Sequence, residues 1–172
     1  VPNEVLDKQI RRFQIPFYEE KFDEIQINVF NKENRLTLEE MFSMMEGFDQ
    51  KNPHHTMDLY NHSFHTYELF SSKCYPAKYN ISALLHDFGK MYCQTFDENG
   101  IAHYFDHHAY GSYFVLSRIP QNSEVLDVCF LINYHMLPFS WESEKTKQRW
   151  RKRFGEYKYK MLMDFHECDI QR

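Results

Sequence analysis

Glycine and proline are scarce in this sequence, with 5 and 6 among 172 residues. Strand-rich sandwiches use many such residues at their turns, so the shortage favours helices, as do the runs of Leu, Met, Lys and Glu. Hydrophobic residues make up 42% and aromatic residues 17% of the chain, which excludes a disordered protein. The composition therefore predicts an all-α fold with a sizeable core.

The 4 cysteines show no CxxC spacing, and no secretory leader precedes them. Neither a disulfide scaffold nor an all-cysteine zinc site is indicated, so we expect free thiols in a cytoplasmic protein. No apolar run approaches the ~18 residues of a membrane span, and we expect no membrane partner. The motif GxxxxGK[ST] is also absent, so no kinase activity can be assigned to this chain.

The formal net charge of -5 argues against a general nucleic-acid coat protein. Basic residues nevertheless cluster over residues 145–160, interleaved with Trp150, Phe154, Tyr157 and Tyr159. The cluster has two interpretations: a positive face whose rings stack the bases of an RNA substrate, or a solvated helix surface with ordinary core aromatics. The sequence leaves both open.

Helical and extended patterns alternate in the first part of the chain. Residues 5–13 have the apolar spacing of a short surface helix. Residues 22–30 alternate Ile25, Ile27 and Val29 with polar neighbours, which predicts a strand. Because a strand needs a partner, residues outside this chain supply one or the segment lies as an extended arm against the helical body.

A capping box and a methionine stripe follow. Thr37 and Glu40 have the spacing of a capping box that opens a helix through Met41 and Met45, whose spacing is typical of core. A polar linker then marks a domain boundary after residue 50, which separates an N-terminal segment over 1–50 from a helical domain over 51–172. Within that domain, turn signals and apolar periodicity predict a hairpin tip near 97–100 and helices at 56–70, at 77–87, at 106–119, at 124–137 and at 157–170.

The stretch from Ile81 to Lys90 joins an apolar run to an adjacent imidazole and carboxylate, His86 and Asp87. A helix of this kind buries one side in the core and presents the dyad at its last turn, with Gly89 as the helix stop. A buried histidine bonded to a neighbouring aspartate is the alternative. One such pair cannot hold a divalent cation, which needs about four to six donors.

Further candidate donors occur in order along the chain, each near a helix end or along one helix face. The set consists of His62, His86, Asp87, His107, His135 and Asp169. Imidazole and carboxylate donors suit Mn, Fe, Co, Ni, Zn or Mg, and a catalytic site more than a structural one. His108 competes with His107, and Asp164 competes with Asp169.

The short sequence motifs, or boxes, around these donors resemble those of the HD-domain metal-dependent phosphohydrolases, in particular the HD domains attached to tRNA nucleotidyltransferases and RNA-repair polynucleotide kinases. The matching boxes are Asn61-His62-Ser63, Ala83-Leu84-Leu85-His86-Asp87-Phe88-Gly89-Lys90, Tyr104-Phe105-Asp106-His107 followed by Gly111, Asn133-Tyr134-His135-Met136, and Asp169. The resemblance implies an HD-domain helical bundle over residues 51–172, preceded by the short N-terminal helix and the extended strand segment.

The resemblance also implies roles for these residues. One divalent metal ion would be bound by His62, His86, Asp87 and Asp169. His107 and His135 would complete a second metal site, or bind the substrate phosphate when one metal is present. Asp87 and Lys90 would be catalytic, with Lys90 neutralising a phosphate oxygen in the transition state; a solvated lysine is the alternative.

The remaining histidines have weaker assignments. His54 and His55 lie in the linker, where they meet a phosphate at the cavity mouth or are simply solvated. His65, three residues after His62, is a candidate to support it from the same helix face. His103 and His166 are assigned to surface or core.

Residues 1–5, 11–16 and 20–25 resemble the tail of a P-loop nucleic-acid kinase domain, and the chain opens on Val1-Pro2 without an initiator Met. We therefore expect a kinase domain in the same longer protein and no obligate protein partner. The predicted function is hydrolysis of a phosphomonoester or a 2′,3′-cyclic phosphate of a nucleotide or RNA end by a metal-bound hydroxide. The alternative is a catalytically silent HD domain that binds nucleotide or RNA as a regulatory module.

Overall fold

A computed structural model describes residues 3–27, 36–53, 55–119 and 124–171. Over this part of the chain the regular structure is α-helical apart from two 3-10 turns and one small hairpin, so the predicted all-α class is confirmed. The helices are α1 (Asn3–Arg11), α2 (Leu38–Ser43), α3 (Leu59–Ser71), α4 (Lys78–Leu85), α5 (Lys90–Cys93), α6 (His107–Arg118), α7 (Val125–Tyr134) and α8 (Glu144–Asp169). The hairpin pairs β1 (Thr95–Phe96) antiparallel to β2 (Ala102–His103). None of these helices combines the length and the apolarity that crossing a membrane would require.

The core forms around α4 and α7. Helix α4 packs against α3 and α7, and α7 also packs against α6 and α8. All residues of α7 except Asp127 are buried, which is the pattern of a helix surrounded by other elements. The helix that precedes the His86-Asp87 dyad is therefore held on two sides.

The N-terminal segment contributes to this same core. Ile15 and Phe17 are buried, and the Ile15 amide donates to Asn133 Oδ1 at 3.1 Å while Tyr134 Oη donates to the Ile15 carbonyl at 2.8 Å. The predicted capping box at the start of α2 is present, and both stripe methionines are fully buried. The boundary after residue 50 stays a prediction.

The predicted strand at 22–30 is wrong for the residues that the structure describes, because 22–27 form no strand and 28–30 lie outside the described residues. Ile25 and Ile27 are half-buried against the helical core. The alternation in the sequence thus reflects one-sided burial of an extended arm, without the backbone partner that a strand requires.

Gly89 does not stop a helix, contrary to the prediction. Its φ of -64° is right-handed, whereas a glycine stop uses the left-handed region. A Cβ atom at Gly89 would lie 1.9 Å from the His107 carbonyl oxygen and 2.5 Å from the Gly111 nitrogen. Glycine is required here because the start of α5 crosses α6 at backbone contact.

Helix α8 contains a break at Gly155, where φ is 76° and ψ is 160°. The part after the break corresponds to the predicted final helix. In the basic stretch before and around the break, Phe154 is fully buried and Trp150 packs on it with ring centroids 5.0 Å apart.

Several cations of the basic stretch form ion pairs. Arg153 contacts Glu20 at 2.6 Å and Lys158 contacts Glu19 at 2.8 Å. The stretch therefore packs the N-terminal segment against α8, which favours the second interpretation of the sequence.

Candidate metal centre

The His86-Asp87 dyad lies immediately after α4, in a tight turn that leads into α5. Ala83 and Leu85 anchor the last turn of α4 in the core, with exposures of 0% and 1%. Ile81 and Leu84 are only half-buried against it. The helix end is thus fixed by packing, His86 and Asp87 are themselves buried, and Asp87 lines a cavity.

The six candidate metal ligands lie together, although they come from five different parts of the chain, and all but the fully buried His86 line this cavity. His62 lies on α3, His107 at the start of α6 and Asp169 at the end of α8, while His135 directly follows α7. Each of the six is buried. The cavity has a volume of about 290 Å³.

One group of donors surrounds the Oδ2 side of Asp87. His62 Nε2 lies 3.4 Å and His86 Nε2 lies 3.3 Å from Asp87 Oδ2. Both Nε2 atoms also lie 3.1 Å from Asp169 Oδ1. Two imidazoles and two carboxylates thus converge on one point.

The other oxygen of Asp87 belongs to a second group. His107 Nε2 lies 3.1 Å and His135 Nε2 lies 3.6 Å from Asp87 Oδ1. Asp87 therefore presents one carboxylate oxygen to each of two neighbouring donor triads, His62-His86-Asp87 and Asp87-His107-His135.

Backbone carbonyls fix the orientation of three of the imidazoles. The Nδ1 atoms of His86, His107 and His135 lie 2.9, 2.8 and 2.9 Å from the carbonyl oxygens of Ala83, Tyr104 and Ile132. A carbonyl oxygen only accepts, so each Nδ1 carries a proton and each Nε2 faces the carboxylates, where it would bind a metal ion in its unprotonated form. This is the usual arrangement of a histidine that binds a metal ion.

The electrostatics of the first group favour a positive charge. Burial opposes protonation of His86, but the carboxylates of Asp87 and Asp169 outweigh it and raise the pKa of His86 to about 10. Burial also opposes ionisation of Asp87 and of Asp169. The positive charges of Lys90 and His86 nevertheless hold the pKa of Asp87 well below its usual value. The positive charge of His86 does the same for the pKa of Asp169. The carboxylates stay ionised, and the donor set fits a divalent cation.

A comparison with protein-family models gives one match, to the HD domain, over residues 59–171. The chain belongs to the HD-domain family. No curated protein and no solved structure matches it. Membership places the chain in the metal-dependent phosphohydrolase superfamily, and the matched range contains all six clustered donors.

Lys90 is the basic residue of the HD site. Its Nζ lies 2.6 Å from Asp87 Oδ2 and donates to Gln50 Oε1 at 2.8 Å, and the side chain is buried. Gln50 is held in turn, since its Nε2 donates to the Met57 carbonyl at 3.1 Å and its backbone carbonyl accepts a hydrogen bond from Tyr104 Oη. The lysine is therefore a fixed internal cation, and the solvated alternative does not hold.

The competing residues differ in position. His108 lies outside the cavity, and burial lowers its pKa to about 3, so it is neutral. Asp164 accepts hydrogen bonds at 2.5 Å from Tyr75 Oη and from Lys160 Nζ, away from the donor cluster. His107 and Asp169 are the members of each pair that reach the HD cavity.

The other histidines are distributed around the domain. His55 lines the cavity, with its ring centroid 5.9 Å from that of His62. His65 lines a separate surface groove on α3, so it does not support His62. His103 and His166 contact aromatic rings outside the donor cluster, and His54 lies outside the described residues.

Sequence reasoning missed residues that complete the cavity. Gln50 lies within the polar linker in the sequence, and nothing in its neighbours indicates a contact with Lys90, 40 positions away. Phe105 and Phe139 line the cavity mouth and are 65% and 49% exposed. Phe105 falls within a matching box and Phe139 follows another, so their positions beside ligands were the available signal.

Proposed function

We propose that this HD domain is a divalent-metal-dependent phosphohydrolase that acts on a phosphomonoester or a 2′,3′-cyclic phosphate of a nucleotide or RNA end. The observation that carries the proposal is the position of Asp87, whose two oxygens each face a histidine pair. A carboxylate shared in this way is typical of sites that hold two cations about 3.5–4 Å apart.

The donors divide into two sets. His62, His86, Asp87 and Asp169 would hold one divalent cation, and Asp87, His107 and His135 would hold a second. The cation would supply Lewis-acid chemistry, polarising a phosphoryl oxygen and lowering the pKa of water. Nitrogen and carboxylate donors without cysteine favour a catalytic site for Mn, Fe, Co, Ni or Zn over a structural zinc site.

Lys90 supports the same reaction from the protein side. Phosphoryl transfer places negative charge on non-bridging oxygens, and a fixed cation in a water-poor cavity stabilises that charge strongly. The Nζ of Lys90 is held by Gln50 and Asp87 at the cavity wall, so it needs little reorganisation when a phosphate enters. We assign it to phosphate binding.

The RNA-end part of the proposal also draws on the N-terminal residues. Their resemblance to the tail of a P-loop kinase supports an HD domain that works beside a kinase domain in a longer protein. Such a pairing would let one protein remove a phosphate from one RNA end and add one to the other.

Hydrolysis of p-nitrophenyl phosphate tests the reaction. We expect turnover with Mn²⁺, Co²⁺ or Ni²⁺, none in EDTA, and none for Asp87→Ala with any metal. A screen of nucleoside 2′-, 3′- and 5′-monophosphates and 2′,3′-cyclic phosphates then identifies the substrate. Absence of turnover with every metal and phosphate ester would leave the silent, nucleotide-binding HD domain as the function.

A further inference from the structure

Two phenylalanines form an exposed aromatic rim at the mouth of the metal cavity. Phe105 is 65% exposed and Phe139 is 49% exposed, and both line the same cavity as the donor histidines. Two exposed rings beside one polar cavity offer an apolar surface to a ligand that enters it.

Both rings are supported from the protein side. The Phe105 ring stacks on His103 with centroids 5.5 Å apart and an angle of 8° between the planes. The Phe139 ring meets His166 at 4.5 Å and 90°. The rim is therefore preorganised, and a ligand would lose little of its binding free energy in ordering these rings.

The rim lies close in sequence to the donors and is fixed relative to them. Phe105 is two residues before His107, and Phe139 is four residues after His135. When a phosphate lies against the donors and Lys90, the organic group of the ester extends toward the mouth. The organic group of the ester would therefore contact the rim, and its affinity depends on how well it packs against the two rings.

We infer that Phe105 and Phe139 bind the nucleobase of the substrate, an inference that rests on the proposed function. Flat aromatic faces stack on bases of any sequence, because every base has a π face. A phenylalanine ring offers no hydrogen bond to a sugar hydroxyl, so the rim favours nucleoside phosphates over simple sugar phosphates. Because it offers none to a base edge either, discrimination among the four bases should be weak.

Adenosine monophosphates and ribose 5-phosphate provide the test, because the base distinguishes them. Titration calorimetry of the Mn²⁺-loaded chain should show the best adenosine 2′-, 3′- or 5′-monophosphate binding about 5- to 150-fold more tightly than ribose 5-phosphate. Phe105→Ala and Phe139→Ala should each reduce that ratio, and the double variant should bring it near one. Phe105→Tyr, which keeps an aromatic face, should retain it.

Phe64→Ala is the matched control, since Phe64 is 40% exposed and lies in the separate groove on α3. It should leave the ratio unchanged. A wild-type ratio near one, or an unchanged ratio in the double variant, would overturn the inference. Retained preference for the base without hydrolysis of any ester would instead remove the proposed function and leave the rim as the base-binding surface.

Discussion

The Nε2 atoms of His107 and His135 lie 3.1 Å apart, and both rings direct Nδ1 at a backbone carbonyl. In their neutral forms neither Nε2 carries a proton, so two lone pairs face each other in a buried cavity. That arrangement is unfavourable unless a positive charge lies between or beside the two nitrogens. A cation held by Asp87, His107 and His135, as we propose, would remove that repulsion.

His135→Ala should remove one bound cation. We expect elemental analysis to give a metal-to-protein ratio near two for the wild-type protein and near one for the variant, because the first donor group remains complete. His65→Ala is the control, since its side chain lies in another groove. A ratio of one in both proteins, with a raised KM in the variant, would assign His107 and His135 to the phosphate instead.

Asp169→Asn and Asp164→Asn should have opposite consequences. Asp169 Oδ1 faces His62 and His86 at 3.1 Å, so Asp169→Asn should lose metal and activity. Asp164 is bound by Tyr75 and Lys160, so Asp164→Asn should keep both and lower the free energy of unfolding by about 1–3 kcal/mol at pH 7. Metal loss in Asp164→Asn, or full metal content in Asp169→Asn, would reverse the assignment of the last ligand.

The stability effect of Asp164 should depend on pH. Burial opposes its ionisation, but the hydrogen bonds from Lys160 and Tyr75 outweigh burial and lower its pKa from the ordinary 3.8. A lowered folded-state pKa gives stability that is present above 3.8 and lost as the pH falls through the lowered value. Urea unfolding should therefore show the difference between wild type and Asp164→Asn shrinking at low pH, and a constant difference would contradict this account.

Gly89→Ala should destabilise the domain and disturb the site together. The new Cβ would lie 1.9 Å from the His107 carbonyl oxygen, a backbone atom that cannot rotate away. We expect a loss of about 1–3 kcal/mol, the usual cost of overpacking, with reduced metal content because His107 shifts. Gly111→Ala is the comparison, since its nearest neighbours lie 3.2 Å away and its effect should be smaller. Equal effects would show that the crossing does not depend on Gly89.

Gln50→Ala should lower kcat about 10- to 100-fold without changing metal content, because Lys90 loses the acceptor that positions it. Gln50→Glu keeps an acceptor oxygen and should recover much of the rate. Steady-state kinetics with p-nitrophenyl phosphate, together with elemental analysis, measure both properties. An unchanged kcat in Gln50→Ala would show that Lys90 is positioned by Asp87 alone.

The sequence places the candidate ligands in local motifs that resemble those of the HD family, and the structure brings these residues together, while their binding of a metal ion stays a prediction. The spacing of the family motif favours His107 over His108, and position in the family pattern favours Asp169 over Asp164; His107 and Asp169 are the two that line the cavity. All-α content followed similarly from local composition and periodicity. These properties require no knowledge of long-range contacts.

The errors and omissions all involve contacts between distant parts of the chain. The alternation of apolar and polar residues around Ile25 and Ile27 reflects burial of one side of the segment, and a strand and an extended arm both have this pattern. Gly89 resembles a helix stop in sequence, and only the approach of α6 shows that its missing side chain makes room for backbone. Gln50 acquires its position from a contact with Lys90, 40 positions away, so neighbouring residues do not reveal it.

Anomalous diffraction from Mn²⁺-soaked crystals tests the central claim most directly, because it locates the cation without requiring turnover. The account predicts anomalous density among His62, His86, Asp87 and Asp169, and a second peak among Asp87, His107 and His135. Asp87→Ala crystals should lose both peaks, since both groups share that carboxylate. Manganese density elsewhere, with none at either group in the wild-type protein, would contradict the claim that Asp87 joins two metal-binding triads.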